Sequence, residues 1–186
     1  MKEYDFTLKF RLGSANEDAE KYVEALAEAG CDDALVGVGQ NGRVSLHFIR
    51  EADSAMEALS SAVTDVRRAI PDAKLVEADP DYVGVTDIAD FFGVSRQYVR
   101  KLILSKGASF PDPVHEGNPS LWHLADVLRW FQEEGQKGFS SEALEVAQVT
   151  MQLNVLNSCV KASVVSGNGF YFHAQVPNEE LRAAMG

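Results

Sequence analysis

The chain has 186 residues, 46% of them hydrophobic and 24% charged, with a formal net charge of -11. That apolar content suffices for one or two packed cores and excludes a disordered chain, and the acidic balance argues against indiscriminate binding to nucleic acid or anionic lipid. No apolar run reaches the roughly 18 residues of a membrane span and the opening Met-Lys-Glu-Tyr-Asp-Phe is too charged for a secretory signal, so a cytoplasmic protein is expected.

Residues 4–12 alternate, with Phe6, Leu8, Phe10 and Leu12 on one side and Asp5, Thr7, Lys9 and Arg11 on the other, which predicts a half-buried strand. A helix should follow: Ser14 and Glu17 have capping-box spacing, Ala19, Tyr22, Val23, Leu26 and Ala29 recur at helical intervals, and Gly30 supplies a stop. Residues 35–39 and 43–50 read as a hairpin joined through Asn41-Gly42, a pair that tolerates positive φ. A second helix begins with the Ser54 to Glu57 box, carries Met56, Leu59, Val63, Val66 and Ile70, and ends at Pro71, before a last strand over 74–78. The order βαββαβ predicts an α+β domain over residues 1–80, a ferredoxin-like antiparallel sheet with two helices on one face. Its open face carries Thr7, Lys9, Arg11, Ser45 and His47, while Phe6, Phe10 and Phe48 fall on the apolar face. Base stacking on RNA is therefore discounted, and Lys9, Arg11 and His47 read as a solvated surface. Asp79-Pro80-Asp81 reads as a linker whose acids prefer water.

Charge is unevenly distributed. Residues 1–80 hold 16 acids against 9 bases, whereas residues 95–106 hold Arg96, Arg100, Lys101 and Lys106 without an acid. The surrounding segment, VTDIADFFGVSRQYVRKLIL from Val85, has the pattern of a helix-turn-helix. Thr86 can cap the first helix, Ile88 and Phe92 give it an apolar face, and Ala89 is small where the two helices approach. Gly93 permits the turn, Val94 closes the small core, Ser95 caps the second helix, and Val99, Leu102 and Ile103 form its buried stripe. Arg96, Gln97, Tyr98, Arg100 and Lys101 remain outside. Such donor-rich side chains on a helix entering a major groove can bind base edges and phosphates. Beyond Lys106, Phe110-Pro111 and Pro113-Val114 lead into a Glu116-Gly117-Asn118 turn and Leu121-Trp122 lead out, which reads as a short β-hairpin. Residues 123–134 return to helical spacing with Leu124, Val127, Leu128 and Phe131 apolar, and Gly135 follows as a stop.

In these motifs, VTDIADFFGVSRQYVRKLI followed by FPDPV, a Gly-containing turn and W.LADVLRWF, residues 82–135 resemble the MerR-like winged helix domains, particularly the prophage regulator and excisionase branch. The resemblance implies double-stranded DNA as partner, with Arg96, Gln97, Tyr98 and Arg100 at DNA-contacting positions and His115 to Asn118 on the wing. Asp112 and Glu116 make this wing less basic than the family's usual one, and Trp122 and Trp130 read as core. The candidate DNA-binding set is Thr86, Ser95, Arg96, Gln97, Tyr98, Arg100, Lys101, Lys106, His115 and Asn118.

Residues 139–186 form the last segment. From Ser140 or Ser141 to about Lys161 the pattern is helical, and Leu144, Val146, Ala147, Val149, Met151, Leu153, Val155, Leu156 and Val160 spread apolar surface around most of it. Such a helix must be covered, either by its twin in a homodimer, the favoured reading, or by the N-terminal sheet. The aromatic stretch 170–176 reads as a strand or docking segment for a protein partner. There is no GxSxG, P-loop or HExxH, the four His are scattered, and Cys31 and Cys159 stand alone. No catalytic residue, metal site, disulfide or cofactor is expected, and the two thiols should be buried and inert. The function expected is a bacterial or phage-type DNA-binding regulator. The alternative is an antitoxin-like adaptor that binds a protein partner through its N-terminal domain or C-terminal tail and autoregulates through the winged helix.

Overall fold

The computed structural model describes residues 1–135 and 138–165, with side chains to residue 162, so the expectation for 170–176 lies outside the described residues. Among the described residues it has a mixed α+β architecture with six α-helices and a four-stranded antiparallel sheet. The described residues form two compact units, one made of residues 1–78 and 152–165, the other of residues 79–151.

In the first unit the sheet comprises β1 (Lys2–Arg11), β2 (Ala34–Gly37), β3 (Arg43–Ala52) and β4 (Lys74–Asp79), ordered β2-β3-β1-β4. β1 and β3 pair along ten residues, from Lys2↔Ala52 to Arg11↔Arg43. The period of two places Tyr4, Phe6, Leu8 and Phe10 of β1 with Val44, Leu46 and Phe48 of β3 in the core, where the Phe6 and Phe48 rings stack 5.2 Å apart. The second predicted helix forms as α2 (Ala55–Ala69): the Ser54 hydroxyl accepts from Glu57 N–H, the Glu57 carboxylate accepts from Asp53 N–H, and Ala58, Leu59, Ala62, Val63 and Val66 are buried.

The first predicted helix differs. It is broken into a 3-10 turn over Ala19–Tyr22, α1 over Val23–Leu26, and a π turn over Ala27–Cys31 in which Gly30 has a φ of 103°. Asp18, whose carboxylate accepts from Glu20 N–H, sets the start, so the Ser14 to Glu17 pair does not cap the helix and holds the loop before it. There the Glu17 carboxylate meets Lys21 Nζ at 2.7 Å, accepts from the Tyr22 hydroxyl at 2.6 Å and from Ser14 N–H at 3.2 Å, and these contacts hold its pKa at about 2 instead of 4.5. A lowered carboxyl pKa contributes stability above the ordinary value, and that contribution is lost as the pH falls through about 4.5 toward 2. An NMR titration should find the Glu17 carboxyl still ionised at pH 3, and Glu17→Gln should flatten that acid limb of the unfolding curve.

Arg50 continues the core-facing phase of β3 and is 7% exposed. Its five N–H donors are all used: Nε and one Nη2 bond reach Asp33 at 2.7 and 2.9 Å, Nη1 reaches Ser61 and Asp65 at 3.0 and 2.9 Å, and Nη2 reaches Gly30 C=O at 2.6 Å. Burial opposes the charge of this guanidinium, and the hydrogen bonds and charges of Asp33 and Asp65 outweigh it, raising its pKa. Nearby Cys31 is buried, which, aided by the Asp65 charge, pushes its thiol up to about 11; Cys159 is half-buried.

β4 is an edge strand, and the later half of α6 (Ser141–Val165) satisfies its free backbone. The Asn154 side chain accepts from Ala78 N–H and donates to Ala78 C=O, both at 2.8 Å, and Asn157 donates to the Leu75 and Val76 carbonyls at 3.0 Å. The helix thereby mimics a fifth strand through amides. Asn154→Ala should cost about 2 kcal/mol by leaving buried backbone groups unpaired, whereas exposed Gln152→Ala should change the urea midpoint little.

The second unit packs α3 (Val85–Phe92), α4 (Arg96–Lys106), α5 (Leu124–Glu133) and the first part of α6 beside a two-stranded sheet of β5 (Tyr82–Val83) and β6 (Trp122–His123). Its core joins Val83, Ile88, Ala89, Val99, Phe110, Trp122, Leu128, Trp130, Phe131 and Ala147. Trp122 donates its indole N–H to Pro111 C=O, and both tryptophans are buried as expected. Asp81 departs from its expected exposure: it is 1% exposed, with its carboxylate 2.6 Å from His123 Nδ1 and its carbonyl accepting from Leu124 N–H. A partner 42 residues away makes burial of the acid tolerable. Among the described residues no helix is long and apolar enough to cross a membrane.

Candidate nucleic-acid interface

The position of α4 follows from its two sides. Ser95 Oγ accepts from Tyr98 N–H at 3.1 Å and fixes the start, while Val99 is buried and Leu102 and Ile103 pack partly against the core. With that stripe held inward, Arg96, Gln97, Tyr98, Arg100 and Lys101 are all exposed. Before it, Gly93 closes the turn in the left-handed conformation, φ 63°, its N–H bonding to Asp90 C=O.

The start of α3 corrects one expectation. Its cap is Gly84, whose N–H donates to the Asp87 carboxylate at 2.7 Å, so Thr86 lies inside the first turn, exposed, and does not cap. Val94 is also different: it is 38% exposed and does not close the core, whereas Phe92 packs as expected, its ring 4.3 Å from that of Phe131.

Cations in this unit fall into two groups among the described residues. Lys106 pairs with Glu134 and lies 5.5 Å from the Trp130 ring centre, and Arg129 pairs with Asp126 at 3.0 Å. Arg96, Arg100 and Lys101 have neither an ion pair nor a side-chain hydrogen bond. Lys106 is thus held against α5, apart from the exposed row.

The expected hairpin over 110–122 is reduced to a bridge. Val114 N–H donates to Leu121 C=O at 2.8 Å and Leu121 N–H to His115 C=O at 3.0 Å, but Trp122 and His123 pair with Tyr82 and Val83 instead. Pro111, Pro113 and Pro119 lack the N–H that a longer ladder requires. The His115 ring lies where a Cβ on Gly117 would go, which suits glycine at this tip. Between the 117–122 segment, the start of α3 and α4 runs a groove of about 480 Å³ that brings Thr86, Arg100 and Asn118 together. Ser95, Arg96, Gln97, Tyr98, Lys101, Lys106 and His115 lie outside it.

Leu104, which is absent from the expected site, also lines the groove and is 82% exposed. Its signal was present: one position past Ile103 it falls out of phase with the buried stripe. No group of three or more His, Cys, Asp or Glu among the described residues could hold a metal ion. The chain has no match among protein-family models, characterised proteins or solved structures.

Proposed function

We propose that this chain is a cytoplasmic, sequence-specific double-stranded DNA-binding transcriptional regulator of bacterial or phage type, and that it acts as a homodimer. In this reading α3 and α4 are a helix-turn-helix with α4 in the major groove, the 116–120 loop is a short wing, and the first unit is a ferredoxin-like dimerisation or sensing domain. The observation that carries the reading is the face of α4: three cations without a carboxylate partner beside Gln97 and Tyr98, in a unit whose Lys106 and Arg129 both have one. Unpaired guanidiniums on an exposed helix suit guanine edges and phosphates, and Gln97 suits adenine. The shared groove supports wing and helix acting on one duplex, with Asn118 opposite Arg100. The strand order β2-β3-β1-β4 supports the ferredoxin-like assignment.

Base readout and phosphate contact separate experimentally. Gln97→Ala should relax preference at one position of a selected duplex, whereas Lys101→Gln should weaken all sequences alike and reduce the salt slope by about one. Binding titrations over a range of salt check both. Uniform weakening by both substitutions would remove base readout from Gln97.

A further inference from the structure

The first unit carries a second group of cations that the DNA-binding reading leaves unused. Arg11 and Arg43 stand directly opposite each other in the β1–β3 register, on the solvent face, in a unit otherwise rich in acids. Like charges in directly opposed positions destabilise a sheet, and among the described residues neither arginine has an ion pair or a side-chain hydrogen bond. Lys9, two residues before Arg11, shares this face.

Beside them lies a cavity of about 310 Å³, lined by Lys9, Arg43, Ser45 and Gln40 and left open by Gly37 and Gly39. Its lining contains no acid, and Lys9 Nζ lies 3.4 Å from the carboxylate of Glu77, which is outside the lining. The loop forming one wall is fixed. Gly42, with φ 72°, approaches Ala15 so closely that a Cβ would lie 2.7 Å from its carbonyl oxygen, and Gly42 N–H donates to Glu17 C=O while Gly42 C=O accepts from Leu12 N–H. Arg43 N–H donates to Gln40 C=O across the same turn. The backbone that carries Gln40 and Arg43 is therefore fixed before any ligand arrives.

We infer that this cavity, walled by Lys9, Gln40, Arg43 and Ser45 and backed by the charge of Arg11, binds a small phosphate-bearing anion. Concentrated positive charge on donor-only side chains suits a dianion better than a single carboxylate, and guanidinium geometry matches phosphate oxygens. A volume at the small end of ligand sites limits a free ligand to a compact phosphate ester. The same chemistry can come from a DNA backbone phosphate, and the test separates the two sources.

The full chain is titrated with inorganic pyrophosphate at constant ionic strength, following backbone amide shifts by NMR. Saturable shifts confined to Gly37, Gly39, Gln40 and Ser45 are expected, weakened at least tenfold by Arg43→Gln and unchanged by Arg96→Ala. Displacement of pyrophosphate by duplex DNA would assign the site to backbone phosphate, and retention in the presence of duplex would assign it to a free ligand. Shifts that do not saturate, or that Arg43→Gln leaves intact, would overturn the inference.

Discussion

Replacing Arg50 with leucine is expected to lower the unfolding free energy of the protein by about 3 kcal/mol, the largest effect of any single charge removal in the first unit. The guanidinium ties the π turn through Gly30, the edge of β2 through Asp33 and α2 through Ser61 and Asp65, so its loss unpairs groups on three elements at once. The cost arises chiefly from what remains. Asp65, 16% exposed, keeps Arg68 as a partner at 3.1 Å, while Asp33, 30% exposed, relies on Arg50 among its defined ion pairs and recovers part of its hydration. Lysine offers three donors at a point and cannot reproduce the fork, so Arg50→Lys should restore only part of the loss. Adding Asp33→Asn and Asp65→Asn to the leucine variant should recover stability, because neutral amides are cheaper to leave under-paired than carboxylates. Urea unfolding of the four proteins checks this; a leucine variant within 0.5 kcal/mol of wild type would show that the network contributes no net stability.

The double substitution Arg96→Ala, Arg100→Ala is expected to abolish specific DNA binding while leaving the fold intact. Each arginine that reads a base should contribute about 1 to 3 kcal/mol, or roughly 5- to 150-fold in affinity, and one that holds a phosphate should mainly flatten the salt dependence. Both side chains are exposed and without ion pairs among the described residues, so the thermal transition should hardly move. Equal loss on specific and random duplexes would assign both residues to the phosphate backbone.

What the sequence made legible follows the range of the interactions involved. β1 and α2 are specified locally, by strict alternation in one case and by the Ser54 to Glu57 box in the other, and both form where expected. The start of the first helix is not, because Asp18 competes with Ser14 for the cap, while Gly30 takes the left-handed conformation where a stop is expected. Arg50 carried a readable signal, a charge at the core phase of Val44, Leu46 and Phe48, but its partners lie 11 to 20 residues away. Asp81 and His123 find each other across 42 residues, beyond any local pattern. In the candidate interface the exposed row on α4 was legible from the Val99, Leu102 and Ile103 stripe. The reduced hairpin was not, since it depends on Trp122 and His123 pairing with the distant β5.

The helix α6 illustrates a different limit. Its nearly continuous apolar surface reads as one buried rod, yet Ala147 belongs to the core of the second unit while Asn154 and Asn157 serve the sheet edge of the first. Two polar residues at buried positions are what reconcile a helix pattern with a strand edge.

The most direct test of DNA readout by α4 is a pulldown of fragmented bacterial DNA by the full chain at about 0.15 M salt, sequenced beside the Arg96→Ala, Arg100→Ala protein. Enrichment of a discrete two-fold site that the variant loses is the expected result. Equal recovery of DNA by both proteins, without a shared site, would contradict it.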